Sequence, residues 1–247
     1  MAKKDWHNHR MIAYSYGHGL RLRTPDAPES FLRHPLSTLL STPGSVRVLR
    51  ELLQSDGPLA VSELATVTGL STQGVRNTLI LLRSGGFVDQ LGEGRSRLYR
   101  ADLSHPLYVP LGSLFHVEAE RYETILDSLR TAVATLVPVP LGAWIYGNVA
   151  RGADGPDEDL EVALVARDED VETPVDRLRE VLGPMQDVQR LWISVLGLSP
   201  SDVRRLSVGD RWWDKATRPH VMLFGKAPDE LATELARPAV PRKPFGP

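Results

Sequence analysis

The stretch AWIYGNVARGADGPDEDLEVALVA, residues 143–166, decides how the second half of the chain folds. A short apolar run breaks at Gly147-Asn148 and passes through helix-like sequence and an acidic loop. It resumes as an apolar run headed by Asp159, Leu160 and Glu161. A strand ending in Gly-Asn at the start of a helix aims backbone N–H groups outward, which suits phosphate. Asp159 and Glu161 stand two apart at the start of the next strand. Alternate strand positions share a face, so both carboxylates are expected on one side. A phosphate cradle beside paired carboxylates is what metal-assisted nucleotidyl transfer requires, with oxygen ligands for Mg²⁺ and Mg²⁺ to neutralise the triphosphate.

Outward from this stretch, strands are expected at 143–147, 159–166, 188–196 and 219–224, and helices at 149–152, 174–183 and 201–206. That alternation predicts a mixed α/β domain over 141–235, followed by a tail at 236–247. The pair Trp212-Trp213 reads as core or interface. The run GNVARGADGPDEDLEVALV resembles the minimal nucleotidyltransferases of the DNA polymerase β superfamily, whose signature is Gly-Ser, ten residues, Asp, any residue, Asp. ISVLGLSPSDVRRL and RPHVMLFGKAPDEL look like that family's following strand, helix and final strand. The resemblance implies a nucleotide ligand at Gly147, Asn148 and Arg151. It also implies Mg²⁺ at Asp159 and Glu161, the catalytic pair if the site is active.

This chain departs from the family pattern at three places. Asn148 replaces the Ser, and Glu161 replaces the second Asp. The third carboxylate, which the resemblance implies on strand 188–196, falls on Trp192 or Ser194, with Asp187 just ahead. A carboxylate displaced by about an ångström is costly in metal catalysis, and the missing acid would be the base that prepares the nucleophile. The expectation is the remains of a transfer site, serving as a sensor or interaction module. The alternative is an active Mg²⁺-dependent nucleotidyltransferase that modifies a protein, RNA or small molecule.

In the first half, STPGSVRVLRELLQ carries Val46, Val48, Leu49, Leu52 and Leu53 at helical spacing. VSELATVTGLSTQGVRNTLILLRSGGFV, residues 61–88, supplies two more helices around a Gly69 break. The first is read as capped by Ser62, with Leu64, Ala65 and Val67 inward. Ser71 or Thr72 caps the second, and Gly85-Gly86 stops it. FVDQLGEGRSRLYRADL reads as a hairpin tipped by Gly92-Glu93-Gly94. Over 35–107 this order resembles the winged helix-turn-helix of arsenic-repressor and multiple-antibiotic-resistance regulators, which implies binding to double-stranded DNA. Ser71, Thr72, Gln73, Arg76 and Asn77 would face the major groove, as residue types that pair with guanine, adenine and phosphate. Arg95 and Arg97, two apart on a strand, would share the wing face. A winged helix can also be a protein-interaction module, and the nearly balanced charge of this segment leaves that reading open.

LFHVEAERYETILDSLRTAVATL follows with Phe115, Ala119, Tyr122, Leu126, Leu129, Val133 and Leu136 in alternating steps of four and three. This predicts a connecting helix at 108–137 whose seam joins a homodimer. Pro138 and Pro140 end the helix and mark the boundary. Residues 1–34 lack a sustained period and read as a basic, partly disordered arm. The fold class expected for the whole chain is therefore α+β.

Composition sets outer limits. The net charge is −2, and the acidic excess lies in the last hundred residues, which argues against that domain as the nucleic-acid surface. The chain has no cysteine, so disulfides and thiolate metal sites are excluded and a cytoplasmic location is expected. No secretory signal is read at the N-terminus. No run approaches the roughly 18 apolar residues of a membrane helix, so no membrane partner is expected.

Overall fold

The computed structural model describes residues 30–168 and 170–236. The arm expected at 1–34 and the tail at 236–247 therefore lie almost wholly outside the described residues. The chain divides into two compact units, 1–112 and 113–247, each mixing helix and sheet in an α+β manner.

In the first unit, a short helix α1 (Pro35–Leu39) precedes α2 (Pro43–Gln54), strand β1 (Leu59–Ala60), α3 (Val61–Thr68) and α4 (Thr72–Ser84). Strands β2 (Val88–Leu91) and β3 (Leu98–Ala101) follow, and the antiparallel sheet runs β1-β3-β2. Each helix start has a local cause. The Thr42 hydroxyl accepts from the Ser45 N–H at 3.1 Å, and the Ser71 hydroxyl accepts from the Gly74 N–H at 3.1 Å, so each satisfies a donor the helix leaves unpaired. The cap expected at Ser62 lies elsewhere: α3 begins one residue earlier, and Glu63 reaches back to accept from the Ala60 N–H at 2.6 Å. Gly69 ends α3 with φ 67, a left-handed conformation that costs glycine nothing. Val48, Leu49, Leu52 and Leu64 are buried as the spacing predicts, and Val75, Leu79 and Leu82 of α4 are buried with them. Val67 is not; it is 56% exposed, and Thr68 takes the inward place with its hydroxyl on the Leu64 carbonyl.

Helix α5 (Tyr108–Ala134) crosses the division between the units. Its seam divides in character. Leu126, Leu129, Val133 and Leu136 are buried in the core of the second unit with Ile145, Val162, Leu164 and Leu178, whereas Ala119 and Tyr122 are exposed; Phe115, the first residue of the seam, is buried. The second half of the expected dimer seam is thus spent within the fold, against the sheet that follows.

That sheet has the order β6-β5-β4-β7, built from β4 (Gly142–Tyr146), β5 (Leu160–Val165), β6 (Ile193–Leu198) and β7 (Val221–Gly225). β4 is antiparallel to β5 and β7, and β5 is parallel to β6. Alternation sends Ala143, Ile145, Val162 and Leu164 to the α5 face, which α7 (Glu172–Gln189) also covers. Trp144, Tyr146, Ala163 and Val165 go to the opposite face with Val203, Trp213 and Leu231, from α8 (Pro200–Leu206), α9 (Arg211–Thr217) and α10 (Pro228–Ala236). There the fully buried Trp144 donates its indole N–H to the Ala216 carbonyl at 2.8 Å and meets Trp213 edge to face. α7 runs to Gln189, so the strand expected at 188–196 begins only at Ile193. Two side chains of α7 take backbone groups on the outer edge of β6. Gln186 Oε1 accepts from the Ile193 N–H at 2.8 Å, and Arg179 Nη2 donates to the Val195 carbonyl at 3.1 Å. Among the described residues no helix is long and apolar enough to cross a membrane.

Candidate functional site

Two regions gather the residues singled out by sequence. In the first unit, Val75, Thr78, Leu79 and Leu82 bury one face of α4. The other face leaves Ser71, Thr72, Gln73, Arg76 and Asn77 exposed. Gln73 Nε2 donates to Asn77 Oδ1 at 2.9 Å, an i,i+4 bond that holds both amides on the outer stripe. Ile80 continues the same stripe at 65% exposure and was missed by the sequence reading. Its spacing of seven from Gln73 and four from Arg76 was the available signal, masked because isoleucine reads as core.

The wing differs from expectation. Gly92 and Gly94 both take positive φ, 73 and 61, and Gly94–Ser96 forms a single turn of 3₁₀ helix. Arg95 therefore lies in that turn and Arg97 just beyond it, and the two do not share a strand face. Arg97 is exposed. Asp89 and Arg100 pair across the hairpin at 3.4 Å, and Arg83 ties the end of α4 to Gln90 at 2.8 Å.

In the second unit the opening stretch folds as a strand, a turn at Gly147 (φ 75), the single-turn helix α6 (Gly147–Arg151), a loop and β5. Its polar groups largely bind one another. Asn148 Nδ2 donates to Glu158 Oε2 at 2.8 Å, and Arg151 Nη2 donates to Asn148 Oδ1 at 2.6 Å. Glu161 stands opposite Tyr146 on β4, and its carboxylate lies over Gly147 so closely that a Cβ there would overlap it. The expected phosphate cradle is thus faced by a carboxylate of the same chain.

β5 opens at Leu160, so Asp159 precedes the strand and only Glu161 of the pair is held in the ladder. The register places Ser194 opposite Glu161. The Leu160 N–H donates to the Trp192 carbonyl at 2.8 Å, which carries the pairing on to Asp159 and Trp192. β6 holds no acid, and Asp187 belongs to α7. Among the described residues no three metal-ligating side chains converge on one point. A Mg²⁺–triphosphate site needs several oxygen ligands around the ion and an approach for phosphate; at these positions the described residues bring Asp159 and Glu161 and no acid from β6. Tyr146, beside Glu161, keeps its proton to about pH 12 because burial and the neighbouring carboxylate both oppose a phenolate. Trp212 packs edge-on to the Tyr146 ring at 5.7 Å, and Trp213 is core.

No protein-family model matches the chain, and a comparison with curated proteins finds no match. Among solved structures, a toxin–antitoxin crystallised with AMP-PNP is 10% identical, overlapping 44% of this chain and 82% of that one at a TM-score of 0.32. A mutant of the toxin–antitoxin MntA-HpeT is 14% identical over 46% of this chain and 82% of that one, at 0.30. The homodimeric winged helix-turn-helix DNA-binding domain Mb0332 from Mycobacterium bovis is 25% identical over 39% of this chain and 92% of that one, at 0.29. Overlaps of this extent assign no chemistry; that rests on the side chains.

Proposed function

We propose that the chain is a DNA-binding transcriptional regulator of winged-helix type. Its nucleotidyltransferase-like second unit would serve as a sensor or interaction module and not as a transferase. The observation that carries the reading is the outer stripe of α4, where Gln73, Arg76, Asn77 and Ile80 are exposed on a helix anchored by its buried opposite face. Arg suits guanine, the amides suit adenine, and an apolar side chain suits the thymine methyl. Ser71 and Thr72 at the helix start, with Arg95 and Arg97 around the wing turn, would supply phosphate contacts.

The reading of the second unit is supported by the Glu161 carboxylate over Gly147 and by the Asn148–Glu158 and Arg151–Asn148 bonds. Each occupies a group that a nucleotide would need. The proposal includes a homodimer, formed through the part of α5 that the core leaves free, where Leu114 and Val117 are exposed. Two copies would then present two α4 helices to a palindromic site.

The test is fluorescence anisotropy with random and genomic-fragment duplexes across a salt series, on wild type and Arg76→Ala. Binding that weakens steeply with salt, and weakens further in the variant, supports the reading. Absence of binding at low salt, or binding indifferent to Arg76, sinks it.

A further inference from the structure

Helix α5 carries a second stripe besides its core seam, and all of it belongs to the second unit. Leu114, Val117, Arg121, Thr124, Ser128 and Thr131 follow one another in steps of three and four, so they lie along one side of the helix. Ser128 is half-buried and the others are exposed. With Thr135 just past the end of the helix, the stripe is about 30 Å long.

Its two ends differ in shape. The first is large and apolar, with Leu114 and Val117 at 56% and 59% exposure. The second is small. Thr124, Ser128, Thr131 and Thr135 form one wall of a groove of about 550 Å³, and Val181 and Met185 of α7 form the other. Thr124, Ser128 and Thr135 donate their hydroxyl protons to carbonyls of the same segment, those of Glu120, Thr124 and Ala132, at 2.7, 2.7 and 2.8 Å. An apolar group entering the groove therefore strands none of these donors.

Knobs at one end of a helix and a groove at the other make a surface complementary to itself, which is what a two-fold interface requires. Laid antiparallel about a two-fold at Thr124, Val117 of one copy comes level with Thr131 of the other, and Leu114 comes level with the end of the groove near Thr135. The same register brings Arg121 level with Asp127 of the second copy. Arg121 Nη2 donates to the Gln189 carbonyl at the end of α7 at 2.6 Å, which leaves it further N–H donors. Asp127 is 73% exposed while it pairs with Arg130. A parallel arrangement would instead set Arg121 against Arg121 and groove against groove. A face of this length and two helices wide, about 20 Å, offers roughly 600 Å² per copy, which reaches the lower bound for a specific dimer.

We propose that the α5–α7 groove takes α5 of a second copy of this chain, antiparallel about a two-fold at Thr124. Leu114 and Val117 of each copy enter the other's groove between Thr131 and Val181, and Arg121 pairs with Asp127 across the interface. This rests on the reading of the chain as a homodimer through α5, and supplies its register and its receiving surface.

The experiment is analytical ultracentrifugation of the full chain, with circular dichroism to confirm that each variant is folded. Val117→Asp on the knob and Val181→Asp on the groove rim should each raise the dimer dissociation constant about tenfold or more. Val208→Asp, at an 83% exposed position outside the stripe, should leave it unchanged. Because the chain has no cysteine, cross-linking reads the register directly. Oxidised Thr124→Cys should form a disulfide-linked dimer, as should an equal mixture of Val117→Cys and Thr131→Cys chains, whereas Val117→Cys alone should not. A dimer that Val181→Asp leaves intact, a dimer in which Thr124→Cys fails to cross-link, or self-linking of Val117→Cys overturns the inference and leaves the α5 homodimer standing. A wild-type chain that is monomeric at about 100 μM overturns the homodimer as well, while duplex binding by that monomer would keep the DNA-binding reading.

Discussion

The carboxylate of Glu161 stands over the Cα of Gly147, the residue that turns strand β4 into α6. Glycine suits the turn because φ is 75, and a Cβ there would also push aside the end of the Glu161 side chain. An aspartate at 161 would be one methylene shorter and would hold its charge further back. The glutamate closes the turn with negative charge.

Gly147→Ala should therefore lose stability chiefly through the left-handed backbone and less through displacement of Glu161, on the order of 2 kcal/mol in all. Glu161→Ala should relieve the steric part only. In urea denaturation, the double variant should be more stable than the sum of the singles by at least about 0.5 kcal/mol. Simple additivity would mean that the two residues do not share the space.

Leu129 tests the assignment of α5. It is fully buried among residues of the second unit, so Leu129→Ala should cost about 2–5 kcal/mol. On a free connecting helix the same change would cost less than about 0.5 kcal/mol. A thermal melt distinguishes the two.

On α4, Arg76→Ala should lower affinity for a preferred duplex by about 1–3 kcal/mol and relax its sequence preference. Because Arg76 is exposed, stability should move by less than about 0.5 kcal/mol. Arg97→Ala should instead weaken all duplexes evenly and reduce the salt slope by about 1, as loss of one phosphate contact does.

Tyr146 makes an alkaline prediction. Its folded pKa is raised to about 12 from an ordinary value of 10.0, so the folded state holds this proton more tightly than the unfolded state. The stabilisation is fully present below about pH 10 and is lost as pH rises from there toward 12. Tyr146→Phe should flatten the fall in stability over that window. In Glu161→Gln the phenol should titrate at lower pH, since one of the two causes of the shift is removed. Tyrosinate absorbance reads this directly.

How far the fold was legible depended on whether the punctuation was explicit. Gly69, Ser71 and Gly147 mark their boundaries in the residue type itself, and the structure uses each as the sequence suggests. α7 ends instead at Arg190, with φ 55, a left-handed cap without the glycine or asparagine that signals one. The following strand was therefore placed too early. The wing failed differently. Gly92 and Gly94 are both turn residues, and their combination makes a 3₁₀ turn that a simple hairpin reading passes over. In the second unit, spacing found Asp159 and Glu161. Which way the longer carboxylate turns is a matter of rotamer and neighbours, as is the exposure of Trp192. None of these is written in a local pattern.

The hold of Arg179 and Gln186 on the β6 edge also bears on how this unit can meet other proteins. An outer strand with idle N–H and carbonyl groups is a template on which a stranger's backbone can pair, whatever its sequence. Here two side chains of the covering helix take one N–H and one carbonyl of that edge. A visiting strand would have to displace them to pair along its full length, so on that side generic backbone zippering starts at a disadvantage.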